Sequence, residues 1–507
     1  MALLVSFICD VIVNLSLPSN TIKQSLQAHS ILAIAVAVVM YWLCLTGALA
    51  VFADHLQRWE APQVAEFHDY DARTIDTAVT GFIERVGADT DASKLPEQLY
   101  VVFPTEAMPR MHVSGEIAGE EYEWYLDSAG EPVHSVADGW AIMLRHLHGS
   151  LHLPEMLGVI IVSIFGVMLL ALIVSGVLAH PKIFKDAFRL RLGGSRRMES
   201  VDLHNRLSVW GLPFHLMIAI TGAYFGLVSL LIVAGSAAHY DGDRQAMMDD
   251  FFGKDPVFDQ RVVALDFDNA LSNLHREVPE AEPLYVVIHQ LGSRGQFFEV
   301  AATLPGRLVY SELYRFAADG SYIGPQGLAD GPAGRQAAYS VYRLHFGAFG
   351  PIWVKWGFLL LGLALTYICV SGIQIWLIRR NRNDIVDHSW VGAVWGTPLA
   401  LIVSLGASIW LPEKVLWVFL GVLLVAVLAA VRRRDVTRSR RNLQRLCAIY
   451  CWATVAAYYA RYGVSDSTPV TVVVSSCLML SGFAFAWLGR HSLPRKVLAP
   501  EPANEPA

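Results

Sequence analysis

Residues 154–179 have the sequence PEMLGVIIVSIFGVMLLALIVSGVLA, an apolar run with a single charged residue, Glu155, near its start. A helix of about 20 apolar residues is long enough to cross the hydrocarbon core of a bilayer. Eight such runs occur in the chain and predict an α-helical polytopic membrane protein with about eight transmembrane helices. Their approximate bounds are 30–53, 154–179, 206–235, 352–378, 390–411, 414–431, 443–461 and 469–489.

The composition supports this fold class. Of the 507 residues, 54% are hydrophobic and 17% are charged, and the mean hydropathy is +0.41, which is too apolar for an ordinary soluble protein. The net charge of −6 and the pI of about 6.3 argue against nucleic acid as a partner. Because the chain is so apolar, we expect it to be surrounded by membrane lipid. The six cysteines form no Cys-x-x-Cys-His site for covalent haem attachment.

Arginine and lysine collect in alternating loops, at 181–201 and directly after the runs that end near 378, 431 and 489. Short cytoplasmic loops are enriched in these residues, so both termini are predicted to be cytoplasmic. Two long loops, about 54–145 and 236–345, are then predicted to lie outside the cytoplasm. The Pro- and Ala-rich residues 491–507 are predicted to form a disordered tail.

The first four runs form a duplicated unit of helix, outer domain and helix, over 25–180 and 202–382. In each copy a histidine opens the first helix and a second histidine precedes the second helix. Each helix also contains a hydroxyl residue followed by glycine. The first copy has His29, Thr46-Gly47, His148 and Ser175-Gly176; the second has His204, Thr221-Gly222, His345 and Ser371-Gly372. Residues 388–490 lie outside the repeat and are predicted to form a four-helix membrane extension.

The long loops contain short segments rich in β-formers and separated by Gly/Asp turns. Examples are 99–104 and 122–126 in the first loop, and 284–289, 297–302 and 310–316 in the second. We therefore expect two small α+β domains, one in each loop.

The glycine of each hydroxyl-Gly pair is interpreted as a small residue that lets helices, or a flat porphyrin, approach the backbone.

The repeated histidines predict haem binding. Ionisable groups at membrane depth are costly and usually have a function, and neutral imidazole is an axial ligand of haem iron. The repeat predicts two ligand pairs, His29 with His204 and His148 with His345. Two further histidines leave the assignment open. His215 follows His204 on the same helix face, roughly 16 Å further along, and His152 is one turn from His148.

Other common chemistries have no support in the sequence. No Gly-x-Gly-x-x-Gly or Walker loop predicts a nucleotide domain, and no His-Glu-x-x-His or Gly-x-Ser-x-Gly predicts a protease or hydrolase. A redox function would therefore need an electron donor outside this chain.

The order of these motifs resembles the PepSY-associated transmembrane family, which includes iron-regulated inner-membrane proteins and ferric-siderophore reductases of Gram-negative bacteria. The resemblance covers about 25–382. It implies two PepSY-like periplasmic domains and b-type haem in a four-helix core, in the bacterial inner membrane. The residues that carry it are His29…Thr46-Gly47, Leu147-His148-Gly149, Asp202-Leu203-His204-Asn205-Arg206, Leu344-His345-Phe346-Gly347 and Trp376…Arg379-Arg380.

The expected function is a haem b oxidoreductase with about two haems. A quinol or a cytoplasmic flavoprotein would supply electrons, and a periplasmic ferric siderophore or other Fe(III) chelate would be reduced to release Fe(II) for iron uptake. Two alternatives stay open. A metal or siderophore permease would also be polytopic, but it would have no haem spectrum. A non-enzymatic, membrane-anchored PepSY regulator of periplasmic proteases would need only the outer domains.

Overall fold

The structure is a computed structural model, which describes residues 18–89, 95–117, 119–136, 139–180, 182–187, 196–464 and 468–491. Nearly all of the predicted tail at 491–507 lies outside these residues. In chain order the helices of the first repeat are α1 (Ser19–Ala50), α2 (Ala53–Glu60), α3 (Ala72–Asp89), α4 (Trp140–Gly149), α5 (Glu155–Ala179) and α6 (Ile183–Asp186).

The second repeat contains a similar series of helices, and the C-terminal region follows it. In the second repeat the helices are α7 (Arg196–Trp210), α8 (Leu212–His239), α9 (Arg244–Phe252), α10 (Phe267–Glu277), α11 (Ala333–Phe346) and α12 (Ile352–Arg380). The C-terminal region contains α13 (Ile385–Ser408), a 3₁₀ turn (Pro412–Lys414), α14 (Val415–Arg433), α15 (Val436–Tyr462) and α16 (Pro469–His491).

Seven helices in the described part of the chain are long and apolar enough to cross a membrane, and the protein is therefore a multi-pass membrane protein. They are α1, α5, α8, α12, α13, α16 and the segment Pro412–Arg433 that contains α14. Seven of the eight predicted spans are thus present as apolar helices.

The predicted span at 443–461 is helical but differs from the other seven. It lies within α15, whose polar residues, including Gln444 and Arg445, exclude this helix from the apolar set. Its packing explains how α15 is stabilised despite these polar residues. Cys447 and Cys451 are fully buried among residues of α13 and α14, so α15 is stabilised by helix contacts along one face rather than by apolar residues all round.

All eight described strands form one antiparallel sheet in the order β4-β3-β2-β1-β5-β6-β7-β8. Two four-stranded meanders meet where β1 pairs with β5, with Leu99 opposite Ile288 and Val101 opposite Val286. The strand bounds are β1 (Gln98–Val102), β2 (His112–Ile117), β3 (Glu120–Leu126), β4 (Pro132–Ser135), β5 (Glu282–His289), β6 (Phe297–Thr303), β7 (Glu312–Ala317) and β8 (Tyr322–Pro325).

The strands of the two loops thus join in one continuous sheet, which the sequence did not predict. Leu99, Val101, Val286 and Ile288 are all buried in one hydrophobic core, which α3 and α10 cover. Had the meanders stayed apart, β1 and β5 would each present an unpaired edge of backbone N–H and C=O groups. Pairing them satisfies those groups and merges two small cores, which is why one sheet forms.

Two compact units are distinguished by their internal contacts. The sheet unit contains residues 47–170 and 216–360, which include the whole sheet. The helical unit contains the remaining described residues, including all of α7 and of α13 to α16. The long helices α1, α5, α8 and α12 each contribute residues to both units. His148, His152 and His345 belong to the sheet unit, and His29, His204 and His215 belong to the helical unit.

Candidate functional site

His148 and His345 lie together in the sheet unit. Their ring centroids are 6.2 Å apart and their planes differ by 28°. Each is close to the end of a short helix, His148 on α4 and His345 on α11. Helix α11 ends at Gly347, whose φ of +65° lies in the left-handed region that favours glycine at a helix C-terminus. We call these two residues the His148/His345 pair.

Helix α4 is held in place by residues of α2. The Glu60 carboxylate accepts hydrogen bonds from the backbone N–H groups of Trp140, at 2.6 Å, and Ala141, at 2.8 Å. These N–H groups belong to the first turn of α4, where a negative charge also interacts favourably with the positive end of the helix dipole. Further along, Arg145 forms a 3.0 Å ion pair with Asp54. Both contacts fix the helix that presents His148.

Helix α11 is held by the segment that precedes β7. The backbone N–H of Tyr310 donates to the carbonyl of Tyr339 at 3.1 Å, and the rings of Tyr310 and Tyr342 are 4.5 Å apart. The side chain of Arg343 donates to the carbonyl of Arg307. The position of His345 therefore depends on the second half of the sheet unit.

A hydroxyl group determines the tautomer of His345. Thr221 donates its single hydroxyl proton to the carbonyl of Met217 at 2.7 Å. Its oxygen is 2.9 Å from Nδ1 of His345 and can only accept there, so the ring carries its proton on Nδ1 and a lone pair on Nε2. Burial, and then the neighbouring His148, lower the pKa of His345 to about 3. The imidazole is therefore neutral, as metal ligation requires.

Two glycines border the rings of this pair. A Cβ atom added to Gly47 would lie 2.5 Å from Cε1 of His148, and one added to Gly222 would lie 3.3 Å from Cε1 of His345. The rings therefore lie directly against the backbones of α1 and α8. Gly47 and Gly222 are the glycines of the two Thr-Gly pairs in the repeat.

The helical unit contains a second pair with the same kind of contacts. Nδ1 of His29 lies 3.0 Å from the carbonyl of Leu172, which can only accept, so this nitrogen carries the proton. Nδ1 of His204 lies 3.0 Å from the hydroxyl of Ser371, which donates to the carbonyl of Ile368. The imidazoles of His29 and His204 are close enough to interact electrostatically. We call these two residues the His29/His204 pair.

Glycines border this pair as well. A Cβ atom on Gly176 would lie 3.2 Å from Cε1 of His29, and one on Gly372 would lie 3.4 Å from Cε1 of His204. Ser175, which precedes Gly176, places its hydroxyl 3.2 Å from Nδ1 of His29. In both units, a hydroxyl-Gly pair thus provides a hydrogen-bond acceptor and a close backbone surface to a histidine on a different helix.

The two further candidate histidines differ from each other. His215 is 2% exposed, its ring contacts Gly211, and among the described residues Nε2 has no hydrogen-bond partner. His152 follows α4, with Nε2 2.9 Å from the carbonyl of Met143. Since that carbonyl only accepts, Nε2 of His152 carries a proton.

The sequence interpretation missed the hydrogen-bonding role of the hydroxyl residues. Thr221, Ser175 and Ser371 occur at matched positions of the repeat. They were interpreted, with the glycines that follow them, as helix-packing residues. The signal was present, since each hydroxyl precedes a glycine that contacts a histidine. What it did not indicate was which helix each pair faces. Glu60, which holds α4, had no sequence signal.

The histidine pairs and the sheet coincide with a known family region. The sequence profile of the PepSY-associated TM region matches residues 26–379. The chain belongs to this family. A protein of Pseudomonas aeruginosa described as uncharacterized is 26% identical over 375 residues, which cover 68% of this chain and 94% of that protein. The resemblance inferred from the histidine motifs is thereby confirmed.

The region of the PepSY-associated transmembrane family ends where α12 ends, so α13 to α16 are additional. Helix α13 is bound to α1 by two polar contacts. The hydroxyl of Tyr41 donates to the carbonyl of Val394 at 2.7 Å, and the indole N–H of Trp42 donates to the hydroxyl of Thr397 at 3.0 Å. The additional helices therefore pack on the helix that carries His29.

Proposed function

We propose that this protein is a haem b oxidoreductase of the bacterial inner membrane, which passes electrons across the membrane to a periplasmic ferric siderophore and releases Fe(II) for iron uptake. One haem would be held by the His148/His345 pair and a second by the His29/His204 pair. The observation that carries the proposal is the distance between the rings of His148 and His345.

At that distance both imidazoles could hold one haem iron. A metal–imidazole bond is about 2 Å and each ring centre lies roughly 1 Å beyond its nitrogen, so two imidazoles that would hold one iron have ring centres within about 6 Å of each other. The observed value is 6.2 Å. The protonated Nδ1 of His345 leaves Nε2 as the nitrogen with a lone pair for iron. Gly47 and Gly222 let the two imidazole rings lie against the backbones of α1 and α8.

Haem supplies one-electron transfer at a potential that its ligands and their hydrogen bonds adjust. The protein residues hold neutral imidazoles in one tautomer through Thr221, Ser371 and the carbonyl of Leu172. Siderophores bind Fe(III) far more tightly than Fe(II), so reduction by one electron releases the metal without breaking the chelator. The donor would be a quinol or a cytoplasmic flavoprotein.

For the ligand assignment we favour His148 over His152, because Nε2 of His152 already donates to a carbonyl. His215 stays an alternate ligand for the haem of the helical unit, since its buried Nε2 has no partner among the described residues. The basic loops support cytoplasmic termini and periplasmic strands. A reporter fused at Ser128 should therefore report periplasm, and a cytoplasmic signal would contradict this orientation.

The test of the function is a dithionite-reduced minus oxidised absorbance spectrum of the detergent-purified protein, with haem quantified per chain. We expect sharp b-type bands at about two haems per chain, and reoxidation of the reduced protein by a ferric trihydroxamate. An intact protein that stays colourless after haem supplementation would exclude the proposal. A coloured protein that ferric chelates do not reoxidise would exclude the chelate as acceptor.

A further inference from the structure

The face of the sheet opposite α3 and α10 contains tyrosines. Leu99 and Val101 point into the hydrophobic core. Side chains alternate along a strand, so Tyr100 lies on the other face. Its ring centroid is 6.3 Å from that of Tyr285 on β5. Tyr285 also lies within electrostatic range of Tyr310, which precedes β7. Phenols of three chain segments thus meet at the centre of the sheet.

Helix α11 adds two more phenols and connects them to His345. The rings of Tyr310 and Tyr342 are 4.5 Å apart, and Tyr342 is 4.5 Å from the ring of Phe346. The ring of Phe346 is 5.5 Å from that of His345. Tyr339 on the same helix lies within electrostatic range of Tyr285. We call Tyr100, Tyr285, Tyr310, Tyr339 and Tyr342 the phenol cluster.

Hydroxyl groups of this cluster are available as hydrogen-bond donors. Within the described part of the chain, no residue accepts a hydrogen bond from the hydroxyl of Tyr310, Tyr339 or Tyr342. Tyr342 is 41% exposed, and the other two are half-buried. Burial raises the pKa of all three phenols, so each keeps its proton at neutral pH. These donors therefore border on solvent and lack an acceptor.

Charged side chains of both signs lie near the cluster. Tyr342 lies within electrostatic range of Asp54 and Arg145. Asp54 is shared by two cations, Arg145 at 3.0 Å and Lys355 at 3.8 Å. The Glu299 carboxylate also lies within electrostatic range of Tyr339, so cations and carboxylates both border the cluster. The ligand is therefore selected by the phenol donors, to which anionic oxygen atoms are complementary acceptors.

We propose that the phenol cluster is the binding site for the Fe(III) chelate, and that it recognises chelates whose iron is ligated by anionic oxygens. The phenol O–H groups would donate to those oxygens, while the rings provide flat contact area. Ring contacts through Tyr342 and Phe346 connect the cluster to His345. A bound chelate would take up one electron, which changes Fe(III) to Fe(II) and breaks no bond within the chelator. The redox role of the site rests on the proposed function, whereas binding does not.

Binding can be measured without electron transfer by the gallium(III) complex of a linear trihydroxamate, which has the charge of the ferric complex but is not reduced. The experiment is calorimetric titration of the full-length purified protein. In the double variant Tyr310→Phe/Tyr342→Phe, which keeps both rings and removes both hydroxyls, we expect about tenfold weaker binding. The matched control is Tyr322→Phe on the helix-covered face of the sheet, which should bind like the native protein.

Absence of binding by the native protein, or equal affinity of the native and double-variant proteins, would overturn the proposal. Should the double variant lose thermal stability, Tyr339→Phe serves instead, with an expected loss of about threefold; unchanged affinity there would overturn it equally. A colourless protein that binds the gallium chelate through these phenols would leave this site in place and exclude the haem function. A haem-containing protein that does not bind the chelate would do the reverse.

Discussion

The two histidine pairs have the same local contacts but different supports. Nδ1 of His29, His204 and His345 is hydrogen-bonded to a hydroxyl or carbonyl of another helix, and a glycine backbone borders the ring of all four histidines. His148 and His345 lie on the short helices α4 and α11, which residues of the sheet unit hold. His29 lies within the long apolar helix α1. His204 lies on α7, the helix that directly precedes α8 in the chain.

Because their supports differ, the two pairs should respond to different substitutions. The geometry of the His148/His345 pair depends on contacts remote from the rings, such as that of Glu60 with the start of α4. The geometry of the His29/His204 pair depends on helix packing alone. The glycine contacts also differ, since added Cβ atoms would meet His148 at 2.5 Å but His204 at 3.4 Å.

The largest expected effect follows from removing a ligand. His345→Ala should reduce the haem content from about two to about one per chain, because one imidazole cannot replace the pair. His204→Ala should remove the other haem and leave the first. Haem per chain, measured by the pyridine haemochrome assay, checks both. His275→Ala, at an exposed position of α10, should change nothing. Full haem content in His345→Ala would exclude this pair as a ligand set.

A smaller effect should separate the two pairs through their glycines. A methyl group at Gly47 would overlap the ring of His148, so Gly47→Ala should lose most of the haem of this pair. Gly372→Ala places its methyl group at ordinary contact distance from His204 and should keep its haem. Gly357→Ala, which would meet no atom within 4 Å, is the control. Equal haem content in the first two variants would remove the proposed difference between the pairs.

Glu60→Ala should destabilise only the sheet unit's pair. Two N–H donors at the start of α4 lose their acceptor, at a cost of about 1–3 kcal/mol in the free energy of unfolding. We expect a lower melting temperature and earlier thermal loss of the haem held by His148, followed by its absorbance. Glu84→Ala, at an exposed position of α3, is the matched control. Simultaneous loss of both haems would show that the supports are not independent.

The smallest expected effect concerns the redox potential. Thr221→Ala removes the acceptor of the Nδ1 proton of His345, which makes the imidazole a weaker donor to Fe(III) and should raise the midpoint potential. A relative change of about threefold to tenfold in affinity for the two oxidation states corresponds to about 30–60 mV. Ser371→Ala should do the same for the haem of His204. Spectroelectrochemical titration checks this, and Thr221→Ser should restore the native potential.

Much of the molecule could be predicted from local patterns. Apolar runs such as 154–179 predicted membrane helices because length and composition suffice for that inference. The exception at 443–461 shows the limit, since α15 is stabilised by buried contacts of Cys447 and Cys451 that hydropathy does not measure. The pairing of His148 with His345 was predicted from their equivalent positions in the repeat, and the structure brings their rings to 6.2 Å.

The helices, the strands and the candidate ligands could be predicted from the amino-acid sequence, because each depends on residue type and spacing along the chain. The pairing of β1 with β5 in one sheet is visible only in the folded protein, since nothing local to either strand specifies its partner. The fold also determines which hydroxyl lies beside His345 and which beside His204. The same applies to the phenol cluster, whose members lie far apart along the chain and meet only because the two meanders join.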